Sequence, residues 1–118
     1  MQTFHDLKVW QKSHELVLNI YALTKTFPSE EKFGLTSQLR RAVISVPSNI
    51  VEGFKRRGIK DSLHFYTIAE ASLEEAKYQL LLAKDLKYIS SEVYEKVLNQ
   101  SNEISKMLFA FKKAIKSS

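Results

Sequence analysis

The chain has 118 residues, with three glycines, two prolines and no cysteine. This length is typical of one domain with its own hydrophobic core, so we assign residues 1–118 to a single domain. Few glycines and prolines favour long helices over a β fold, and the lack of cysteine excludes disulfides and thiolate chemistry. The N-terminal residues lack the apolar region of a signal peptide and no apolar run approaches ~18 residues, so we expect a cytoplasmic protein without a membrane partner.

The net charge of +5 is unevenly distributed along the sequence. Residues 1–60 hold ten Lys/Arg and five Asp/Glu, whereas residues 61–118 hold eight of each. The densest basic stretch comprises Lys55, Arg56, Arg57 and Lys60. Basic residues gathered in one region favour an acidic or polyanionic partner. A modest positive charge that serves only solubility is an equally open interpretation.

Helix 1 is predicted over residues 7–25, with Asp6 as its N-cap. Two neighbouring apolar stripes run along it at helical spacing. One stripe contains Leu7, Trp10, His14, Val17 and Tyr21, and the other contains Val9, Leu16, Ile20, Leu23 and Phe27. Pro28 ends the helix and begins a loop.

Helix 2 is predicted over residues 33–56, with Pro47 inside it. Its main apolar stripe contains Leu35, Leu39, Val43, Val46 and Ile50, and a second stripe contains Phe33, Ile44 and Val51. A third, polar line contains Gln38, Arg41, Ser45, Asn49, Glu52 and Arg56. A helix in a monomeric bundle needs one apolar stripe, so the second stripe predicts a contact with another chain. The polar line is either a buried network that fixes subunit register or a solvated face.

Helix 3 is predicted over residues 61–86 and helix 4 from Ser90 or Ser91 onward. The core stripe of helix 3 alternates large and small residues: Tyr66, Ala69, Leu73, Ala76, Leu80 and Ala83. The run Leu80–Leu82 adds apolar surface beyond one core face. Because short connections turn each helix back beside its predecessor, we predict an all-α, antiparallel, up-down-up-down four-helix bundle.

The sequence offers little for catalysis or for cofactor binding. None of the three histidines has a partner at metal-ligand spacing, and we interpret His14 as a partly buried structural residue and His64 as a surface residue. No nucleophile motif or phosphate loop is present. We therefore predict a non-enzymatic protein without metal or cofactor. A hydrolase that uses Glu52 or Glu75 is retained as an alternative.

Four segments of the chain carry a family resemblance. They are FHDLKVWQK at 4–12, FPSEEKFGLTSQLRRA at 27–42, SVPSNIVEG at 45–53 and IAEASL at 68–73. In this order they resemble the four-helix-bundle family of proteins encoded in intervening sequences of bacterial 23S ribosomal RNA genes. The chain departs from the usual family pattern at two places. Ala71-Ser72 stands where Gly-Ser is typical, and Glu75-Ala76-Lys77 stands where Glu-Leu followed by an acidic residue is typical.

The resemblance implies an antiparallel four-helix bundle that assembles as a homopentamer. A similar fold occurs in accessory proteins of diversity-generating retroelements, which are pentameric, basic, and bind a reverse transcriptase and nucleic acid. The resemblance therefore implies partners of three kinds: further copies of the chain, nucleic acid, and a protein such as a reverse transcriptase.

The expected nucleic-acid site consists of the basic residues Arg40, Arg41, Lys55, Arg56, Arg57 and Lys60. RNA is preferred to DNA as the partner, and the aromatic residues mostly occupy helix stripes, so phosphate contacts are expected to dominate over base stacking. The expected subunit interface contains Phe33, Ile44 and Val51, with Gln38, Ser45, Asn49 and Glu52 from the polar line. The alternative function is a self-assembling structural protein with no nucleic-acid role.

Overall fold

Four α-helices account for most of the chain. The computed structural model describes residues 3–117, so Met1, Gln2 and Ser118 of the predicted domain lie outside the described part. The helices are α1 (Lys8–Thr24), α2 (Leu35–Lys55), α3 (Ile59–Asp85) and α4 (Ser91–Ser117), with short 3-10 turns at Phe4–Asp6 and Ser29–Glu31. No strand occurs within residues 3–117. The predicted all-α class is confirmed.

The helices form a closed antiparallel bundle in which α1 and α3 each pack against both α2 and α4. Side-chain contacts set the register of neighbouring helices. Asn19 on α1 donates to Gln100 on α4, Ser45 on α2 meets Ser72 on α3, and Lys112 near the end of α4 meets Glu70 in the first half of α3. The starts of α1 and α3 therefore lie at the same end of the bundle as the ends of α2 and α4.

The helix boundaries differ from the predicted ones by one or two residues at most ends. Asp6 is not the N-cap of α1, because Leu7 occupies that position. The Asp6 carboxylate instead accepts the backbone N–H of Thr3 and closes a capping box around the first 3-10 turn. Phe33 precedes α2 rather than beginning it. Ser90 caps α4 as predicted, since its Oγ accepts the Val93 N–H at 3.1 Å.

The core contains the predicted main stripes of α2 and α3, all of whose members are buried. On α1 the stripe around Leu16 and Ile20 faces the core, whereas the stripe around Trp10 and His14 is buried only at Leu7 and is otherwise half-buried or exposed. The leucine run of α3 does not supply a separate exposed face: Leu80 is fully buried, and Leu81 and Leu82 pack partly buried against the core. The leucine run therefore adds little exposed apolar surface, whereas Leu18 on α1 and Ile44 on α2 are exposed.

Small residues allow α2 and α3 to pack closely. Gly53 lies directly against the ring of Tyr66, and a Cβ added to Gly53 would stand 2.7 Å from Cζ of that ring. Tyr66 also packs edge-on against Phe111, with the ring centroids 5.0 Å apart. Burial raises the pKa of the Tyr66 phenol to about 12, because the charged phenolate is poorly solvated there. The Gly53–Tyr66 contact fixes the distance between the end of α2 and the start of α3.

A carboxylate organises the opposite end of α2. Glu31 accepts the Leu35 backbone N–H at 3.0 Å and the Tyr88 hydroxyl at 2.7 Å. These two donors, the Leu35 amide first, hold the pKa of Glu31 below its ordinary value. A Cβ on Gly34 would lie 2.6 Å from Glu31 Oε1, so glycine at this position leaves room for the carboxylate to reach the helix terminus. Glu31 thereby links the start of α2 to the turn between α3 and α4.

Candidate nucleic-acid and self-association surfaces

The antiparallel register divides the net charge unequally between the two halves of the bundle. One half, which we call the basic half, contains residues 3–16, 46–72 and 110–117 and holds nine Lys/Arg and five Asp/Glu. The opposite half contains residues 17–45 and 73–109 and holds nine Lys/Arg and eight Asp/Glu. Four of the five net positive charges therefore belong to one half.

The turn between α2 and α3 presents three predicted phosphate-binding residues at the surface of the basic half. Lys55 ends α2, Arg57 lies in the turn before Gly58, and Lys60 lies in the first turn of α3. All three are exposed, and none forms an ion pair with the residues that the structure describes. We call these three residues the turn cluster. Their charges are free for an external partner.

Arg56 belongs to the same turn but is held by its neighbours. Its guanidinium lies 3.4 Å from the Glu52 carboxylate and 4.0 Å from that of Asp61. It also stacks over the Phe65 ring, 4.5 Å from the centroid. Exposed ion pairs of this kind contribute little stability, but they lower the positive charge that Arg56 offers to a partner.

Arg40 and Arg41 lie in the opposite half, about 21 Å along α2 from the turn cluster at 1.5 Å per residue. The Arg40 guanidinium stacks over the Tyr21 ring at 4.4 Å from its centroid, and its Nε donates to Thr24 Oγ1 at 2.8 Å. Arg40 thus joins α1 to α2. Arg41 is exposed. The structure does not bring these two arginines together with the turn cluster.

Three lysines near the end of α4 also belong to the basic half, although they were not among the predicted phosphate-binding residues. Lys112 is half-buried and binds Glu70 at 2.6 Å and Thr67 at 2.9 Å. Lys113 and Lys116 are exposed and form no ion pair within residues 3–117. More than 50 residues separate them from the turn cluster in sequence, so their proximity follows only from the antiparallel register.

An apolar groove runs between the outer faces of α1 and α2. Its cavity has a volume of about 270 Å³. Trp10 and His14 stack in nearly parallel planes, with ring centroids 5.2 Å apart, along the α1 side. His14 is exposed, so the interpretation as a partly buried residue is wrong for the single chain; His64 is exposed as predicted. The remaining lining comes from Phe4, Val17, Ile44, Pro47, Ser48 and Val51.

The three apolar residues of the predicted interface border this groove and a second one beside it. Ile44 is 38% exposed and lines both grooves. Phe33 is 89% exposed and lines the second groove with Tyr21, and Val51 is half-buried in the first. Large apolar side chains left open on one continuous face are typical of an association surface. We call this surface the α1–α2 face.

The polar line of α2 divides into two groups. Ser45 and Asn49 are half-buried: the Ser45 hydroxyl lies 2.8 Å from that of Ser72 on α3, and Asn49 Nδ2 donates to Ser45 Oγ at 2.9 Å. Gln38, Arg41, Glu52 and Arg56 are exposed. The first group therefore holds α2 to α3 inside one chain. A role of the polar line in subunit register stays a prediction.

The comparisons with known proteins agree with this architecture. The family model described as 23S rRNA-intervening sequence protein matches residues 5–110. The chain belongs to this family. A crystal structure of a protein with unknown function from the S23 ribosomal protein family of Bacteroides thetaiotaomicron VPI-5482 is 31% identical, with a TM-score of 0.83. The similarity covers 89% of this chain and 98% of that one. A search among curated proteins gave no match.

Membership of the 23S rRNA-intervening sequence protein family indicates no enzymatic class. The two carboxylates of the hydrolase alternative lie apart and already have partners: Glu52 pairs with Arg56, and Glu75 accepts Gln79 Nε2 at 3.0 Å. Within residues 3–117 no three histidine or acidic side chains form a group that could hold a metal ion. None of the described helices is long and apolar enough to cross a membrane.

Proposed function

We propose that this member of the family is a non-enzymatic, self-associating module that binds structured RNA through its basic half. The observation that carries the proposal is the concentration of unpaired cations there. The turn cluster, Lys113 and Lys116 are exposed, and none of them forms an ion pair with a carboxylate of residues 3–117. Phosphate oxygens are the groups that such a surface would attract, without strong preference for base sequence.

Self-association would strengthen this contact. The α1–α2 face leaves Phe33 and Ile44 exposed, and burying them against a second copy would remove apolar surface from water. A closed ring, five-membered as the family resemblance implies, would repeat the basic half once per subunit. Several weak phosphate contacts on one RNA would then act together through their high effective concentration.

Fluorescence anisotropy with a labelled RNA hairpin tests the binding proposal. The test variant is Lys55→Glu/Arg57→Glu/Lys60→Glu, and the matched control is Lys25→Glu/Lys87→Glu/Lys96→Glu in the opposite half. Both variants change the net charge equally, so a difference between them reports position rather than total charge. We expect the test variant to lose most of its affinity and the control to lose much less.

Salt provides the second readout of the same experiment. For a helical RNA treated like duplex DNA, each phosphate contact contributes roughly 0.9 to the slope of log K against log salt. The test variant should have a slope shallower by up to roughly 2.7, because three cations are removed. Equal binding by the wild type and the test variant, or no binding by the wild type at low salt, would leave self-assembly alone as the function.

Light scattering tests the association surface separately. The wild type should show a mass several-fold above 13.6 kDa, and five-fold for a ring of five. Ile44→Glu should lower that mass, because it places a charge in the α1–α2 face. Leu18→Glu is the matched control, since Leu18 is 57% exposed on α1 but does not line either groove. A wild-type mass of one subunit would contradict the proposal.

A further inference from the structure

The ring of Phe109 is left open on the surface of α4. It is 66% exposed, and it stacks on no other aromatic ring within residues 3–117. The ring lies in a groove of about 280 Å³ that it shares with four charged residues, namely Glu70, Lys112, Lys113 and Lys116. We call this site the Phe109 groove. The only acidic residue in its lining is Glu70.

The lysines of the Phe109 groove follow from helix geometry. They occur three, four and seven residues after Phe109, so all lie on the same side of α4 as the ring. Lys112 is fixed to α3 by its 2.6 Å contact with Glu70, which neutralises both charges. Lys113 and Lys116 keep their charges free beside an open aromatic ring.

We propose that the Phe109 groove binds an unpaired base of single-stranded nucleic acid, stacked on the Phe109 ring, while Lys113 and Lys116 contact the adjoining phosphates. An aromatic platform beside cations is the combination that binds single strands without reading their sequence. The site rests on the proposed function, because the charged residues of its lining, Lys112, Lys113, Lys116 and Glu70, belong to the basic half, at whose boundary Phe109 lies. It adds a preference for unpaired segments, which the turn cluster alone does not provide.

The shape and charge of the groove favour this ligand over a protein. An apolar helix docked on Phe109 would remove Lys113 and Lys116 from water without providing partners for them, which is costly. An acidic peptide would satisfy the lysines, but the anchor residues of peptides are buried in apolar pockets, and Phe109 is the one apolar side chain of the described residues that lines this groove. A single exposed ring beside charged side chains instead matches a flat base, which stacks on one face.

Anisotropy titrations with a single-stranded RNA and a duplex of equal length test the proposal. Phe109→Ala should weaken single-strand binding roughly 5- to 150-fold, the range for loss of one base–aromatic stack, and leave duplex binding unchanged. Phe109→Tyr should retain the affinity, because it keeps the ring. Tyr78→Ala is the control, since Tyr78 is 62% exposed on α3 and lies outside this groove.

The dependence on salt separates stacking from phosphate contact. Phe109→Ala should leave the slope of log K against log salt unchanged, because stacking releases no counterions. Lys113→Gln/Lys116→Gln should make the single-strand slope shallower by up to roughly 1.4, since each single-strand phosphate contact contributes about 0.7. A change of slope in Phe109→Ala would contradict the stacking role.

The remaining outcomes distinguish this proposal from the proposed function. If the wild type binds RNA and Phe109→Ala binds single strands equally well, the Phe109 groove is not a base site while the basic half still binds phosphate. If Phe109→Ala weakens binding of the duplex and of the single strand equally, the substitution disturbs the fold of the protein rather than a base stack, and the proposal is wrong. If poly-glutamate displaces the single strand from the wild type and its binding depends on Phe109, the groove is a peptide site instead.

Discussion

The two halves of this bundle use their charged residues differently. In the opposite half charged side chains take part in the fold: Glu31 binds the start of α2 and Tyr88, and Arg40 joins α1 to α2. In the basic half Lys112 joins α4 to α3 through Glu70 and Gly53 packs on Tyr66, but the turn cluster forms no ion pair with the residues that the structure describes. Cationic side chains that form no ion pair within the fold and lie close together are available to bind a partner.

The largest effect is expected from the packing contact in the basic half. Gly53→Ala should lower the free energy of unfolding by about 2 kcal/mol, because overpacking a core costs about 1–3 kcal/mol and the better helix propensity of alanine offsets only part of it. Gly58→Ala is the control, since a Cβ there meets nothing within 4 Å. Urea denaturation measures both. Equal stabilities of the two variants would mean that α2 and α3 do not depend on this close approach.

Adjacent arginines in the opposite half separate a structural charge from a free one. Arg40→Ala should lower the free energy of unfolding by roughly 1–2 kcal/mol, because it removes the stack on Tyr21 and the hydrogen bond to Thr24. Arg41→Ala should change it by less than about 0.5 kcal/mol, since Arg41 is exposed. Arg40→Lys should not restore the loss, because lysine lacks the planar guanidinium. If Arg41→Ala lowered the free energy of unfolding as much as Arg40→Ala does, the structural role assigned to Arg40 alone would be wrong.

Low pH should weaken the opposite half through Glu31. Because the pKa of Glu31 is lowered in the folded protein, its stabilisation is full above pH 4.5 and is lost as the pH falls through the folded-state pKa. Glu31→Gln should therefore show a smaller loss of stability between neutral and acid pH than the wild type. Glu30→Gln, one residue away on the same turn, should behave as the wild type. Denaturation midpoints across this pH range provide the measurement.

High pH should weaken the basic half through Tyr66. Its folded-state pKa of about 12 lies above the ordinary value of 10, so stabilisation by the neutral phenol is full below pH 10 and is lost as the pH rises towards 12. Tyr66→Phe should keep its stability over that range better than the wild type. The exposed Tyr78→Phe is the control. Parallel alkaline losses in wild type and Tyr66→Phe would show that Tyr66 is not the group responsible.

Helical periodicity was sufficient to predict the bundle and the core stripes of α2 and α3, because those patterns are local. It could not decide which of the two apolar stripes of α1 faces inward, since both have the same spacing. Periodicity also missed the structural role of Arg40, whose partners Tyr21 and Thr24 belong to another helix. The same limitation applies to Lys113 and Lys116. These two lysines lie at the same end of the bundle as the turn cluster only because the helices pack antiparallel.

The open ring of Phe109 was the other feature that the sequence did not predict. Aromatic residues were expected mostly to occupy helix stripes, and Phe109 is 66% exposed. Phe33 and Tyr78 are exposed as well. Cations also lie beside Phe33, with Lys32 Nζ 5.5 Å from its centroid, but Phe33 precedes α2, whereas Phe109 shares one helix face with Lys113 and Lys116. An exposed ring with lysines beside it can be identified only when the burial of the ring and the packing of the helices are known, and both come from the folded structure.

Lysine acetylation footprinting of the complex with an RNA hairpin tests the central claim most directly. Each lysine amine is its own probe, so mass spectrometry compares both halves within one unmodified protein. We predict that RNA slows acetylation of Lys55, Lys60, Lys113 and Lys116 several-fold and leaves Lys25, Lys87 and Lys96 unchanged. Uniform protection of both groups, or protection confined to the opposite half, would contradict binding through the basic half.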